Sequence, residues 1–146
     1  MIGRLLGIDH GLARIGIAVS DAMGITAREL QIIERTSREE DFARINQIAA
    51  KERVTAIVIG IPFNEAPPGV HTQEETVRLW IERFCQTTNL PIIEWDEQLS
   101  SQDAQLLARG SKRKHTDPID DLAARVILQR YLDALADGLA TFPPRP

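Results

Sequence analysis

Cysteine is almost absent. Cys85 is the only one in 146 residues, so no disulfide can close within the chain and no cysteine cluster can hold a metal. It follows the apolar pattern Val77, Trp80, Ile81, Phe84, and the expectation is a core thiol rather than a nucleophile. Three histidines, at positions 10, 71 and 115, match no zinc-binding spacing. Long apolar runs are missing too: none approaches the roughly 20 residues of a membrane helix, and no signal-peptide pattern opens the chain, so the expected location is cytoplasmic, away from membranes. Positive charge is also short, with 17 Lys and Arg against 21 Asp and Glu for a net charge of -4. That balance disfavours a protein coated in nucleic acid but leaves room for a focused phosphate site, because such affinity comes from local Lys and Arg. The dense basic cluster is Lys112-Arg113-Lys114, followed by His115, which standing alone would read as a solvated loop.

What is present is ordinary for a folded domain: 43% hydrophobic and 26% charged residues, with no internal repeats. A single domain is expected over residues 1–138, with a loosely ordered tail over 139–146 that contains FPPRP. Residues 3–9 and 14–20 read as strands joined by the turn Gly11-Leu12-Ala13; the first is apolar on both faces, as a central strand should be, and the second alternates Ile15, Ile17, Val19 with Arg14, Gly16, Ala18, Ser20. A third strand at 27–34 completes an antiparallel meander. The period then changes to that of a helix, opened by capping boxes in Thr36-Ser37-Arg38-Glu39-Glu40 and running to about Glu52. A strand at 56–61 stops at Pro62, Thr72 with Glu75 caps a helix to about Thr87, and PIIEWDE (91–97) is the last strand. A helix from Ser100 or Ser101 to Ala108 and another opened by Asp117-Pro118 end the pattern. This order predicts an α/β fold with a mixed five-stranded sheet and helices on both faces.

Three carboxylates interrupt this apolar pattern. Asp9, in GIDHG (7–11), ends the first strand, where it could simply start a turn or could be a reactive group held at the sheet's mouth. Glu97 ends the last strand on the face of Ile93 and Trp95, whereas Asp96 shares the other face with Glu94. Asp120 is the informative acid. At 100° per residue it points into the middle of the arc of Ala123, Ala124, Ile127, Tyr131 and Ala134, and Asp121 points to its edge. A first-turn acid suits a helix start, but an unpaired carboxylate facing the sheet would be costly. Two strand ends and this helix start could bring the three acids together. Clustered anions call for protonation or a cation, and oxygen-only ligands favour Mg²⁺ or Mn²⁺, ions that activate water in phosphodiester hydrolysis.

The stretches GIDHGLARIGIAVSD (7–21), IVIGIPFN (57–64), WDEQLSS (95–101) and IDDLAARVILQRYLD (119–133), in that order, resemble the YqgF (RuvX) family. These are pre-16S ribosomal RNA nucleases, also described as Holliday-junction-resolvase-like, with a ribonuclease H-like fold. The resemblance implies a metal-dependent endonuclease with Asp9, Glu97 and Asp120 as its acidic triad, acting at the 5′ end of precursor 16S ribosomal RNA and meeting pre-ribosomal particles. Structured DNA is the runner-up substrate. It further implies that Arg14, Asn64 and Ser100 line the substrate side, and that Lys112, Arg113 and Lys114 hold phosphates beside the metals. Gln98 departs from the family's usual Arg, removing a cation near the site, and NEAPPGVHT (64–72) is stiffened by two prolines. His10 sits at a variable family position and is expected to face solvent as a bystander. An actin-like nucleotide-binding domain would share the opening strand but needs a second comparable domain, and a non-catalytic RNA or ribosome-assembly binder has no use for three clustered anions. Monomer and homodimer both remain open.

Overall fold

The structure, a computed structural model, describes residues 2–62, 67–96, 100–114 and 117–143; for 100–103 it describes the helix and not the side chains. Its elements are β1 (Leu5–His10), β2 (Arg14–Ser20), β3 (Ala27–Glu34), α1 (Arg38–Glu52), β4 (Ala56–Ile61), α2 (Gln73–Phe84), β5 (Ile92–Asp96), α3 (Ser100–Arg109) and α4 (Asp120–Ala136). The sheet order is β3-β2-β1-β4-β5, antiparallel across β3, β2 and β1 and parallel across β1, β4 and β5. The expected mixed five-stranded sheet is therefore present, with β1 at its centre. Within the β2–β3 ladder the register shifts between Ile17 and Ala18.

The two faces of the sheet differ in side-chain size, and that difference positions everything else. On one face Leu6, Ile8, Ile15, Ile17, Val19, Ile57, Ile59 and Ile61 form a thick layer with Phe42 and Ile45 of α1 and Val77, Trp80, Ile81 and Phe84 of α2. On the other, Ala18, Ala56 and Val58 meet Ala124, Ile127, Leu128 and Tyr131 of α4. Small residues let a helix backbone approach closely. A Cβ added to Gly7 of β1 would lie 2.8 Å from the Leu128 Cβ and 3.1 Å from the Ala124 carbonyl oxygen. Glycine in a strand interior commonly marks such an approach. Beside α4, Trp95 of β5 meets Tyr131 edge to face at 5.2 Å between centroids. Among the described residues, no helix is long and apolar enough to cross a membrane.

Helix starts follow the capping signals in two of three cases. The Ser37 hydroxyl accepts the Glu40 N–H of α1 at 3.2 Å, and the Thr72 hydroxyl accepts the Glu75 N–H of α2 at 3.2 Å. The third differs: α4 begins at Asp120 after Ile119, not at Asp117-Pro118. Asp117 is committed to the preceding loop, its carboxylate accepting the Lys114 N–H at 2.8 Å and its own N–H donating to the Lys114 carbonyl at 3.0 Å. The other helix end also moves. α2 stops at Phe84 and a 3-10 turn takes Cys85–Thr87, so Cys85 leaves the apolar stripe and is exposed rather than a core thiol. Beyond α4 the segment expected to be loose is held as far as 142: the Tyr131 hydroxyl donates to the Thr141 carbonyl at 3.1 Å, and Ala140 and Phe142 pack on the α4 core.

Candidate active site

β1 alternates. Leu6, Ile8 and His10 point toward α1 and α2, and Leu5, Gly7 and Asp9 toward α4. Asp9 is the half-buried exception in a strand whose other residues are buried. Its antiparallel partner is Gly16, whose missing side chain would point to the same face. A Cβ built there would stand 1.8 Å from the Asp120 carbonyl oxygen and 2.7 Å from the Asp121 nitrogen. The first turn of α4 therefore rests on the backbone beside Asp9, which puts the sequence positions 9 and 120 at one end of the sheet.

The hairpin turn fixes the Asp120 carboxylate. Gly11 donates its N–H to the Arg14 carbonyl at 2.9 Å, closing the turn, and a Cβ on Gly11 would lie 3.6 Å from Asp120 Oδ1. Arg14, the first residue of β2, donates from Nε to Asp120 Oδ2 at 3.1 Å. This hydrogen bond and charge push the guanidinium above its ordinary value. With the Asp120 side chain 19% exposed, the acid is neither stranded in the core nor free in solvent: one oxygen is held by Arg14 and the other lies on the Gly11 side. The arc position read from helical periodicity is thus explained by a partner 106 residues away.

Asp121, expected at the edge of that arc, is 7% exposed and makes the tighter contact. Its two oxygens accept Nη1 and Nη2 of Arg113 at 2.7 Å each, and Arg113 Nη1 also donates to the Pro118 carbonyl at 3.0 Å. Bidentate charge-assisted pairing of this kind is strong and geometrically demanding. Arg113 therefore ties the basic segment to the start of α4. Lys112 and Lys114 stay exposed, and neither has an ion-pair partner among the described residues. Nothing in the sequence pairs Arg113 with Asp121 across eight residues of loop and helix start, because no periodicity governs that stretch.

Of the other anticipated site residues, Glu97 and Asn64 lie outside the described residues. Ser100 is the first residue of α3, and its side chain is not described. Among the described residues no group of three or more His, Cys, Asp or Glu could hold a metal ion. The described pair is Asp9 and Asp120.

Contrary to the expectation from sequence, His10 lies in the core and does not face solvent. It is 4% exposed, with its ring edge against Trp80 at 4.8 Å between centroids. Burial and the neighbouring Arg35 guanidinium lower its pKa from 6.5 to about 4, so it is neutral at pH 7. The cause of the difference is one residue of strand: β1 includes position 10, and alternation then places His10 on the face of Leu6 and Ile8.

The chain is similar to known proteins over most of its length. The family described as "RuvX: Holliday junction resolvase" matches residues 3–134. A protein of Symbiobacterium thermophilum named "Putative pre-16S rRNA nuclease" is 41% identical over 137 residues, spanning 91% of this chain and 94% of its own. A protein of the same name from Myxococcus xanthus is 36% identical over 138 residues, covering 90% and 88%. Among solved structures, T. thermophilus RuvC in complex with a Holliday junction substrate superimposes with a TM-score of 0.64 at 14% identity, over 93% of this chain and 97% of that one. Fowlpox virus resolvase with Holliday junction DNA gives 0.55 at 12% identity, over 90% and 98%. These likenesses at low identity establish the fold, which is that of the ribonuclease H-like resolvases.

Proposed function

The chain belongs to the RuvX family, and from that premise we propose that it is an endonuclease that hydrolyses phosphodiester bonds of nucleic acid. Precursor 16S ribosomal RNA is its proposed substrate, as the names of its relatives suggest. The observation that carries the reading is the seating of Asp120 against Gly16, the strand partner of Asp9. The start of α4 is thereby seated at the end of the central strand that carries Asp9, the arrangement that two acids sharing one ion would need.

The donor set fits a hard divalent ion. Asp9 and Asp120 offer oxygen only, and Arg14 holds one Asp120 oxygen while the other lies toward the Gly11 turn. Asp9 and Asp120, with Glu97 as third ligand from the family pattern, would hold Mg²⁺ or Mn²⁺. When bound, such an ion supplies a water nucleophile at neutral pH and charge stabilisation for the leaving oxygen. The chain's own contributions are positional. β1, the central strand, fixes Asp9 opposite Gly16 of β2, Arg14 orients Asp120, and the Arg113–Asp121 pair holds the loop that presents Lys112 and Lys114 to the phosphate backbone. Asn64 and Ser100 are assigned to the substrate side on the family pattern alone.

The test is cleavage of labelled single-stranded RNA, precursor-like RNA and four-way DNA junctions with Mg²⁺ or Mn²⁺. Asp9→Asn should lose more than the about 100-fold that outer-shell substitutions cost metal sites. EDTA should abolish cutting by the wild type. Equal cutting by Asp9→Asn, or indifference to EDTA, refutes the metal site; a preference for the four-way junction over RNA refutes the substrate.

A further inference from the structure

On the opposite face of β1 from Asp9 lies an open cavity of about 420 Å³ whose described walls include His10, Arg35, Arg38, His71, Trp80 and Arg83. Its charge is unlike that of the whole chain. Arg35 is balanced by the buried Asp41, Nε to Oδ2 at 3.4 Å, and His71 contacts Glu75 at 3.0 Å. Arg38 and Arg83 are exposed and have no carboxylate partner among the described residues. A protein with a net charge of -4 thus keeps two unneutralised guanidinium groups at one concave site.

The walls are also rich in donors. Arg35 Nη1 sits 3.3 Å from His10 Nε2, and because a guanidinium can only donate, Nε2 of the neutral ring must accept. The ring proton is then on Nδ1. Neither Nδ1 nor the buried indole nitrogen of Trp80 has a hydrogen-bond partner among the described residues. The exposed guanidiniums of Arg38 and Arg83, with no carboxylate partner among the described residues, make this wall a surface short of acceptors. Partly exposed Leu79 adds an apolar edge. A ligand that brings anionic oxygens to the two guanidiniums meets that need.

The cavity is joined to the carboxylate site through one turn. Arg35 Nη1 donates to the Gly11 carbonyl at 3.1 Å, and the Cα of the same glycine faces Asp120 Oδ1. We propose that this cavity binds a phosphodiester of the nucleic-acid strand whose scissile bond lies at Asp9 and Asp120, so that the strand crosses the end of β1 and is gripped on both faces of the sheet. Arg38 and Arg83 are the phosphate contacts, and Arg35 is a positioning residue that links the grip to the Gly11 turn. The inference rests on the nuclease reading given above.

The test measures binding of a fluorescent single-stranded RNA by anisotropy, in EDTA so that no cutting occurs, as a function of salt. Loss of two phosphate contacts should flatten the slope of log affinity against log salt by about 1.4 and weaken binding about tenfold or more at low salt. That result is expected for Arg38→Gln/Arg83→Gln and not for Arg38→Lys/Arg83→Lys, with melting temperatures unchanged because both side chains are exposed. An unchanged slope and affinity in the glutamine variant overturns the inference while leaving the nuclease reading intact. Absence of both RNA binding and cutting in the wild type overturns both. A third arm distinguishes a free anion from a chain. In a Trp95→Phe background, the remaining tryptophan, Trp80, reports on the cavity. Quenching by AMP or pyrophosphate that depends on the arginines, with RNA affinity indifferent to them, marks a small-anion site and overturns the proposal.

Discussion

Replacing Gly16 by alanine is the smallest change that should separate the two acids. A Cβ at this position would stand 1.8 Å from the Asp120 carbonyl oxygen and 2.2 Å from its carbon, and both are backbone atoms that cannot rotate away. Ordinary contact begins at 3.4 Å, so the start of α4 must retreat from β2 by about 1.6 Å, or the strand must bow by as much. Overpacking of this kind costs about 1–3 kcal/mol. For a chain of this size each kcal/mol lowers Tm by roughly 3 °C, so the variant should melt about 3–9 °C below wild type. The functional loss should be larger than the stability loss. With Asp9 and Asp120 sharing an ion as proposed, a displacement of Asp120 by more than 1 Å exceeds what the shared site tolerates, and misplacement on this scale costs about 100-fold in rate. The measurements are thermal melting and RNA cleavage, the latter at a temperature where both proteins are fully folded. Gly110→Ala is the control, because the nearest atom to its Cβ would be the Leu107 carbonyl oxygen at 3.7 Å and no site residue is involved. A Gly16→Ala protein that melts and cuts like wild type would show that the close seating of α4 does not position Asp120, and the account of the site would be wrong.

Arg113→Ala should destabilise the protein by about 1–3 kcal/mol, because it leaves the Asp121 carboxylate with only 10% of its side chain exposed and without its bidentate partner. Adding Asp121→Asn should recover part of that loss in urea unfolding; no recovery would mean that the pair contributes nothing beyond packing. His10 predicts a pH effect whose sign is fixed by its lowered pKa. The unfolded chain takes up the proton near pH 6.5 and the folded one only near pH 4, so stability is full above 6.5 and falls as pH drops between these values. By linkage, about 2 kcal/mol should be lost between pH 7.5 and pH 5, and His10→Gln should lose correspondingly less over the same interval. Unfolding midpoints in EDTA at the two pH values check this, and equal pH dependence in the two proteins would place the titration elsewhere.

The strands were legible because alternation and turn residues determine them locally. Arg14–Ser20, Ala27–Glu34 and Ala56–Ile61 begin and end where their apolar pattern does. What escaped was decided by contacts that no local rule contains. Asp117-Pro118 has the composition of a helix start, yet the loop claimed Asp117 first through Lys114. Cys85 has helical spacing to the stripe of α2, yet the backbone changes to a tighter turn one residue earlier. His10 was one position beyond the expected strand, and that single residue moved it from solvent to the core.

The position of Asp120 was legible, but its cause was not. Periodicity showed an acid on the sheet-facing side of a helix, and only the fold supplied Arg14 and Gly11 to hold it. A further signal was nevertheless present in the same stretch. GIDHG and RIGIAVS each place a glycine inside a strand, at 7 and 16, where it weakens the strand unless a backbone must come close. In the antiparallel register, Gly16 stands opposite Asp9, and Gly7 lies two residues before it on the same face. Together they mark the line along which a helix can touch the sheet, and they place its near end beside the acid. Read with the misplaced-looking Asp120, these glycines indicate which helix makes that approach and which of its residues arrives there. The seating of the α4 start beside Asp9 therefore follows from a requirement for space, which is why an added methyl group at Gly16 should disable the proposed site while leaving both carboxylates in the protein.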